Sequence, residues 1–172
     1  HKEVMANDPT YLQELRGSSS FDNAKSIFET YLESYSASPY FYLDVFDYFS
    51  DRWNKFDYAD AIINDNYGSF MENSTFAKAL AYTYEARGYY GKANEVYKRI
   101  LKQRPNYSQS YFDMANSFHD LKNPKQALSM YLRYKYLIGE SFMERDTISF
   151  DPMMEREYNN VLLIQKESLF ND

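Results

Sequence analysis

The chain has 172 residues, a net charge of −6 and no cysteine, with 19 tyrosines and 13 phenylalanines against one tryptophan. Without cysteine there is no disulfide framework, no thiolate nucleophile and no cysteine-ligated metal. An acidic chain lacking a basic stripe repels phosphate backbones, so nucleic acid is not an expected partner. No apolar run approaches the ~20 residues that span a bilayer, and membrane insertion is not expected. The length suits a single domain, 1–172, with a sizeable core. Because the chain starts at His1 rather than Met, the N-terminus reads as processed or truncated. Compartment and oligomeric state carry no signature in the sequence.

In chain order, Asp8-Pro9 is a helix-start signature, followed by a short apolar face of Tyr11, Leu12 and Leu15 that Gly17-Ser18-Ser19-Ser20 interrupts. Phe21, Ala24, Ile27, Phe28, Tyr31, Leu32 and Tyr35 then recur at helical spacing. Ser38-Pro39 opens the next helix, with Phe41, Val45, Phe46 and Phe49 on its apolar side. Its partner runs through Ala59, Ile62 and Ile63. From Ser74, Leu80, Ala81 and Tyr84 share one helical face, and Ala93, Val96, Tyr97 and Ile100 share another. Gly88 and Gly91 bracket the turn between them, and Pro105 stops the second helix. A third pair begins near Asn106-Tyr107-Ser108, expected to supply capping side chains. Tyr111, Met114, Ala115 and Phe118 form its first face. Asn123-Pro124 starts its second helix, which carries Ala127, Met130, Tyr131 and Tyr134 towards Gly139. Residues 140–150 lose the pattern, and Asp151-Pro152 starts a last helix with Met154, Tyr158, Val161, Leu162 and Leu169.

Positions 46, 80 and 114 are one period of 34 apart, as are 59, 93 and 127, and 63, 97 and 131. With their alternation of Leu, small residue, Tyr, Ala, aromatic and Pro over Ser74–Asn106, these pairs resemble the tetratricopeptide repeat (TPR). The resemblance implies an all-α fold, a right-handed solenoid of about three repeats over 39–73, 74–107 and 108–139. A degenerate pair over 8–38 precedes them, and a capping helix over 151–170 covers the last unit. Asp47 and Ser50 depart from the family pattern, standing where it prefers a small residue and an aromatic.

Signs of catalysis are sparse. His119 has no second His and no Cys to share a metal, no glycine-rich phosphate loop is present, and the carboxylates have no spacing that singles out a catalytic pair. The chain therefore reads as non-catalytic, with no cofactor and no metal. In the resembled family the first helix of each repeat lines a concave groove that takes a peptide or a helix. Carried over by position, that groove comprises Phe41, Asp44, Tyr48, Asp51, Thr75, Lys78, Tyr82, Glu85, Gln109, Phe112, Asn116, His119 and Asp120. Tyr48, Tyr82 and Phe112 are its expected aromatic anchors. Lys78 fits one position of the clamp with which some relatives grip a C-terminal carboxylate. Tyr82 and Asp113 stand where that clamp needs Asn, and an aspartate repels a carboxylate. The implied partner is a protein or peptide with basic or apolar anchors. The alternatives are a structural spacer, its groove filled by 140–150, and an accessory domain of a larger protein.

Overall fold

The computed structural model describes residues 7–139 together with Asn159 and Leu163. Its elements are α1 (Thr10–Arg16), α2 (Phe21–Tyr35), α3 (Pro39–Trp53), α4 (Phe56–Asp65), α5 (Tyr67–Met71), α6 (Ser74–Ala86), α7 (Tyr90–Gln103), α8 (Ser108–Asp120) and α9 (Pro124–Gly139). The protein is all-α, with no strand among the described residues. Two compact units divide at Phe76 and Ala77, in the first turn of α6. The expected segments 140–150 and 151–170 lie outside the described residues, save Asn159 and Leu163, which are helical.

In the first unit α3 packs against α1, α2 and α4. Ser20 caps α2, its hydroxyl accepting from the Asn23 amide at 3.0 Å. The Asp8-Pro9 start works differently from expectation. Pro9 itself takes the cap position of α1, and the Asp8 carboxylate reaches Arg16 Nε at 2.7 Å instead. The core is a lattice of rings. Phe28 stacks on Phe41 with centroids 5.7 Å apart, and Tyr11 meets Phe41 edge-on at 4.9 Å. The helix α5 has no counterpart in the sequence reading. Asn66 donates its side-chain amide to the Ile62 carbonyl at 2.7 Å and ends α4, after which α5 turns Phe70 fully into the core.

In the second unit α8 packs between α7 and α9. Buried Asn94 of α7 donates to Ser117 Oγ at 3.1 Å, and Tyr131 of α9 donates to Asn116 Oδ1 at 3.3 Å. Between α8 and α9, Tyr111, Phe112 and Ala115 close on Ala127, Tyr131 and Tyr134. Asn123 caps α9, accepting from the Gln126 amide at 3.2 Å. At α8 the expected capping side chains do not cap, and Tyr107 holds the cap position without a side-chain capping hydrogen bond.

The arrangement is repeat-like in two independent respects. Phe46, Leu80 and Met114, Ala59, Ala93 and Ala127, and Ile63, Tyr97 and Tyr131 are all buried. The backbone enters the left-handed region at Asn54 (φ 52°), Gly88 (φ 75°) and Lys122 (φ 57°), which again are 34 residues apart. Each follows a first helix and closes a helix-ending turn. Tyr89 N–H donates to the Tyr84 carbonyl and Asn123 N–H to the Phe118 carbonyl, both at 2.9 Å, whereas Lys55 N–H reaches Phe49 at 3.2 Å. The odd acceptor falls in the irregular pair, where buried Ser50 replaces the aromatic and its hydroxyl has no hydrogen-bond partner.

Two stability predictions follow from this register. Ala93 is fully buried, so Ala93→Leu overpacks its site and is expected to cost roughly 1–3 kcal/mol. A variant that melts with the wild type would contradict the register. A Cβ added at Gly88 meets nothing within 4 Å, so Gly88→Ala strains only the backbone, by about 1–2 kcal/mol. Lys122→Gly relieves the same strain one period later, offset by glycine's entropy, for a gain of up to about 1 kcal/mol. Urea midpoints should move in opposite directions for these two variants. Movement in the same direction would sink the shared-turn argument.

Candidate functional site

Each unit carries its own acidic cavity. The first, of about 590 Å³, lies beside α1 and α3 and is lined by Asp8, Leu12, Arg16, Asp44, Asp47, Tyr48, Asp51 and Arg52. The 44, 47, 48 and 51 spacing puts these side chains on one face of α3. Asp44 accepts from the Tyr11 hydroxyl. Burial pushes the Asp44 carboxyl above its ordinary range and Asp8 adds to this, against that hydrogen bond and nearby Arg16. The Tyr11 phenol is pushed up as well, first by burial and then by Asp44. Arg52 lays its guanidinium over the Trp53 ring at 4.0 Å.

The second cavity, of about 400 Å³, is lined by Tyr82 and Glu85 of α6, Tyr97 of α7, and Asp113, Asn116, His119 and Asp120 of α8. Burial pushes the Asp113 carboxyl up, opposed by Gln109, whose amide donates to Oδ1 at 2.8 Å, and by Lys78. Lys78 Nζ stands 3.9 Å from Oδ2, an ion pair too long for a hydrogen bond, and Oδ2 accepts none. Glu85 is also pushed up, by burial and then by Asp120 and Asp113, against a hydrogen bond from the Tyr97 hydroxyl. Asp120 shifts the same way through burial, with His119 opposing it. Lys78 lies over the Tyr107 ring at 5.2 Å, and Arg104 covers that ring at 3.7 Å.

The residues expected on a groove separate into three groups. Asp44, Tyr48 and Asp51 meet at the first cavity, and Tyr82, Glu85, Asn116, His119 and Asp120 at the second. Phe41, Thr75, Lys78, Gln109 and Phe112 line neither cavity. Phe41 is 1% exposed among Tyr11, Phe28 and Tyr35, and Phe112 is buried in the α8–α9 cluster. Their rings go to the core because α3 and α8 are packed on more than one side. Tyr48 is unsuited to anchoring a partner despite its place at a cavity wall. It is buried, its hydroxyl donates to the Leu15 carbonyl at 2.6 Å, and it accepts from Trp53 Nε1 at 2.9 Å. Lys78 is engaged by Asp113 rather than open to a carboxylate.

Two lining residues of the second cavity, Tyr97 and Asp113, are outside the set carried over to the groove, although the sequence puts Asp113 at a clamp position. Asp113 has a helical-spacing signal, since 113, 116 and 120 share a face of α8. Tyr97 has none, because its place in the repeat reads as core. Among the described residues, no group of three or more His, Cys, Asp or Glu side chains is placed to hold a metal ion, and no helix is long and apolar enough to cross a membrane.

Fold and site together define an all-α protein of repeat-like helix pairs with an acidic cavity in each unit. Compared with known proteins, the chain matches no family model and no curated protein sequence.

Proposed function

We propose that the helix pairs are TPR-type repeats of a right-handed solenoid and that the chain is a non-catalytic interaction module for a basic or apolar segment of a partner protein. One observation supports this reading most. Five residues that the family resemblance assigns to a peptide groove line a single cavity, with half-exposed Tyr82 beside the carboxylates of Glu85, Asp113 and Asp120. An aromatic surface among carboxylates attracts Lys and Arg and rejects acidic competitors. The burial of Phe41, Tyr48 and Phe112 favours the second reading, a spacer without a ligand, because it removes three of the aromatic groups such a groove would use.

Panning a random peptide library on the chain separates the two. The interaction reading expects enrichment of Arg or Lys beside apolar residues, with binding that weakens as salt rises. It also expects about a tenfold loss of affinity, or 1.4 kcal/mol, in Tyr82→Ala with Asp120→Asn. Both positions are exposed, so this variant keeps its core. Enrichment of nothing, or of acidic peptides, would leave the spacer reading in possession.

A further inference from the structure

We propose that a third cavity, on the first unit, takes one lysine side chain of the partner, an assignment that rests on the interaction reading above. The space, of about 330 Å³, lies beside α3 where α2 and α4 end. Phe28, Leu32, Tyr42 and Ile62 make its apolar wall, and Ser36, Asp65 and Asn66 carry its polar groups. A ligand can reach it from solvent, since Ser36 and Asp65 are exposed and Leu32 is half-buried.

Two independent observations point to a cation. Ser36 and Asn66 are the residues that end α2 and α4, so two helix C-termini meet the same space. A helix C-terminus carries partial negative charge and favours a cation nearby. Neither helix supplies one, because the last turn of each holds no basic residue. The second observation is the Asp65 carboxylate, which has no ion pair and no hydrogen bond among the described residues. No Lys, Arg or His lines this cavity. The other two differ, with Arg16 and Arg52 on the wall of the first and Lys78 paired to Asp113 at the second.

The apolar wall then selects among cations. An exposed carboxylate by itself holds a cation only weakly in water. Lysine adds a four-carbon stem that lies along apolar surface while its ammonium stays at the polar edge. Three donors on that compact head can face Asp65 and the two helix ends together. Arginine has a shorter apolar stem and a planar head suited to bidentate pairing, for which Asp65 is the one carboxylate in the lining. The volume is near the lower end for ligand cavities, roughly 300–1,000 Å³, and suits one side chain rather than a helix. A second copy of the chain is the poorer occupant, because its net charge of −6 repels the first.

The test is an amide NMR titration of the full isotope-labelled chain at constant ionic strength with N-acetyl-lysine methylamide, beside its norleucine and arginine counterparts. Norleucine keeps the apolar stem and removes the ammonium. Saturable shifts at Leu32, Ser36, Asp65 and Asn66 are expected with lysine. Affinity should be about tenfold weaker for norleucine, and weaker for arginine. Ser36→Lys sets a cation of the chain's own at one helix end and should abolish the lysine shifts, and Asp65→Asn should reduce them. Both positions are exposed, and an otherwise unchanged spectrum checks the fold. The wild-type comparison of lysine with norleucine stands even if a variant misfolds. Shifts that do not saturate, that centre elsewhere, or that are equal for norleucine or arginine would overturn the assignment. So would concentration-dependent shifts of the same amides without any probe, which would give the space to a second copy. If the lysine probe fails while library peptides still bind through Tyr82, the cavity assignment falls and the interaction reading stands. If the probe binds and no peptide does, the interaction reading falls and the cavity remains a lysine site.

Discussion

Phe49→Ala is expected to destabilise the first unit by roughly 3–5 kcal/mol, the range for deleting a buried phenylalanine ring. Phe49 is fully buried and sits at the junction of the aromatic lattice. Its ring meets Tyr58 at 4.9 Å, Tyr48 at 5.1 Å, Phe21 at 5.8 Å and Phe28 at 6.1 Å, all close to edge-on. Such pairs contribute about 0.5–1.5 kcal/mol each beyond the area they bury, although pairs sharing one ring do not add independently. The surrounding rings are large and stiff, so they close poorly on the space left behind. Phe49→Leu keeps more of the volume and should cost less than the alanine variant. Chemical denaturation of both variants checks the order. A loss under about 1 kcal/mol for Phe49→Ala would mean that the lattice does not hold this unit together.

Lys78→Met is expected to cost the second unit about 3 kcal/mol at neutral pH, and much less in mild acid. Lys78 and Asp113 are 19% and 9% exposed, so removing the ammonium strands a buried carboxylate. Breaking a buried pair costs roughly 3–5 kcal/mol, and the 3.9 Å separation argues for the low end because no hydrogen bond is lost. The sign of the pH effect follows from the direction of the shifts. Burial raises the folded-state affinity of Asp113 and Glu85 for protons above that of the unfolded chain, and more exposed Asp120 adds least. These groups therefore oppose folding at neutral pH. Their penalty is relieved as pH falls, until the unfolded carboxyls also protonate near about 4. The hydrogen bond from Gln109 and then the charge of Lys78 hold Asp113 down, so the loss of Lys78 steepens this dependence. Urea midpoints of wild type and variant at pH 7 and pH 5 test it. A deficit of equal size at both would show that Asp113 is not the group left stranded.

Helix existence was largely legible in the residues, as was the packing of α1 on α2, α3 on α4 and α8 on α9. Alanines at 59, 93 and 127 recur at a constant interval, and all three are fully buried. Local chemistry placed several boundaries correctly, with Pro39 and Pro124 each opening a helix. Where side chains compete, it did less well. Asp8-Pro9 marks a helix start in the sequence, but the Asp8 carboxylate leaves the helix end for Arg16, one helix length away, a stronger, charge-assisted partner. The break at Asn66 and the short α5 depend on a side chain bonding back to the Ile62 carbonyl, an option that asparagine has at many positions without taking it.

The sequence alone determined the periodicity: which residues can share a face, where the chain must turn, and that the surface is acidic. Tertiary structure decided which face becomes core and which becomes cavity. The clearest instance is α8, where Phe112 turns into the cluster with Tyr131 and Tyr134 while neighbouring Asp113 lines the cavity. Tyr111 through Ala115 are all buried there, because α7 and α9 flank this helix. A helix with one dry side prints a stripe in its sequence. A helix covered on two sides prints almost none, and only the packing of its neighbours says where each side chain points.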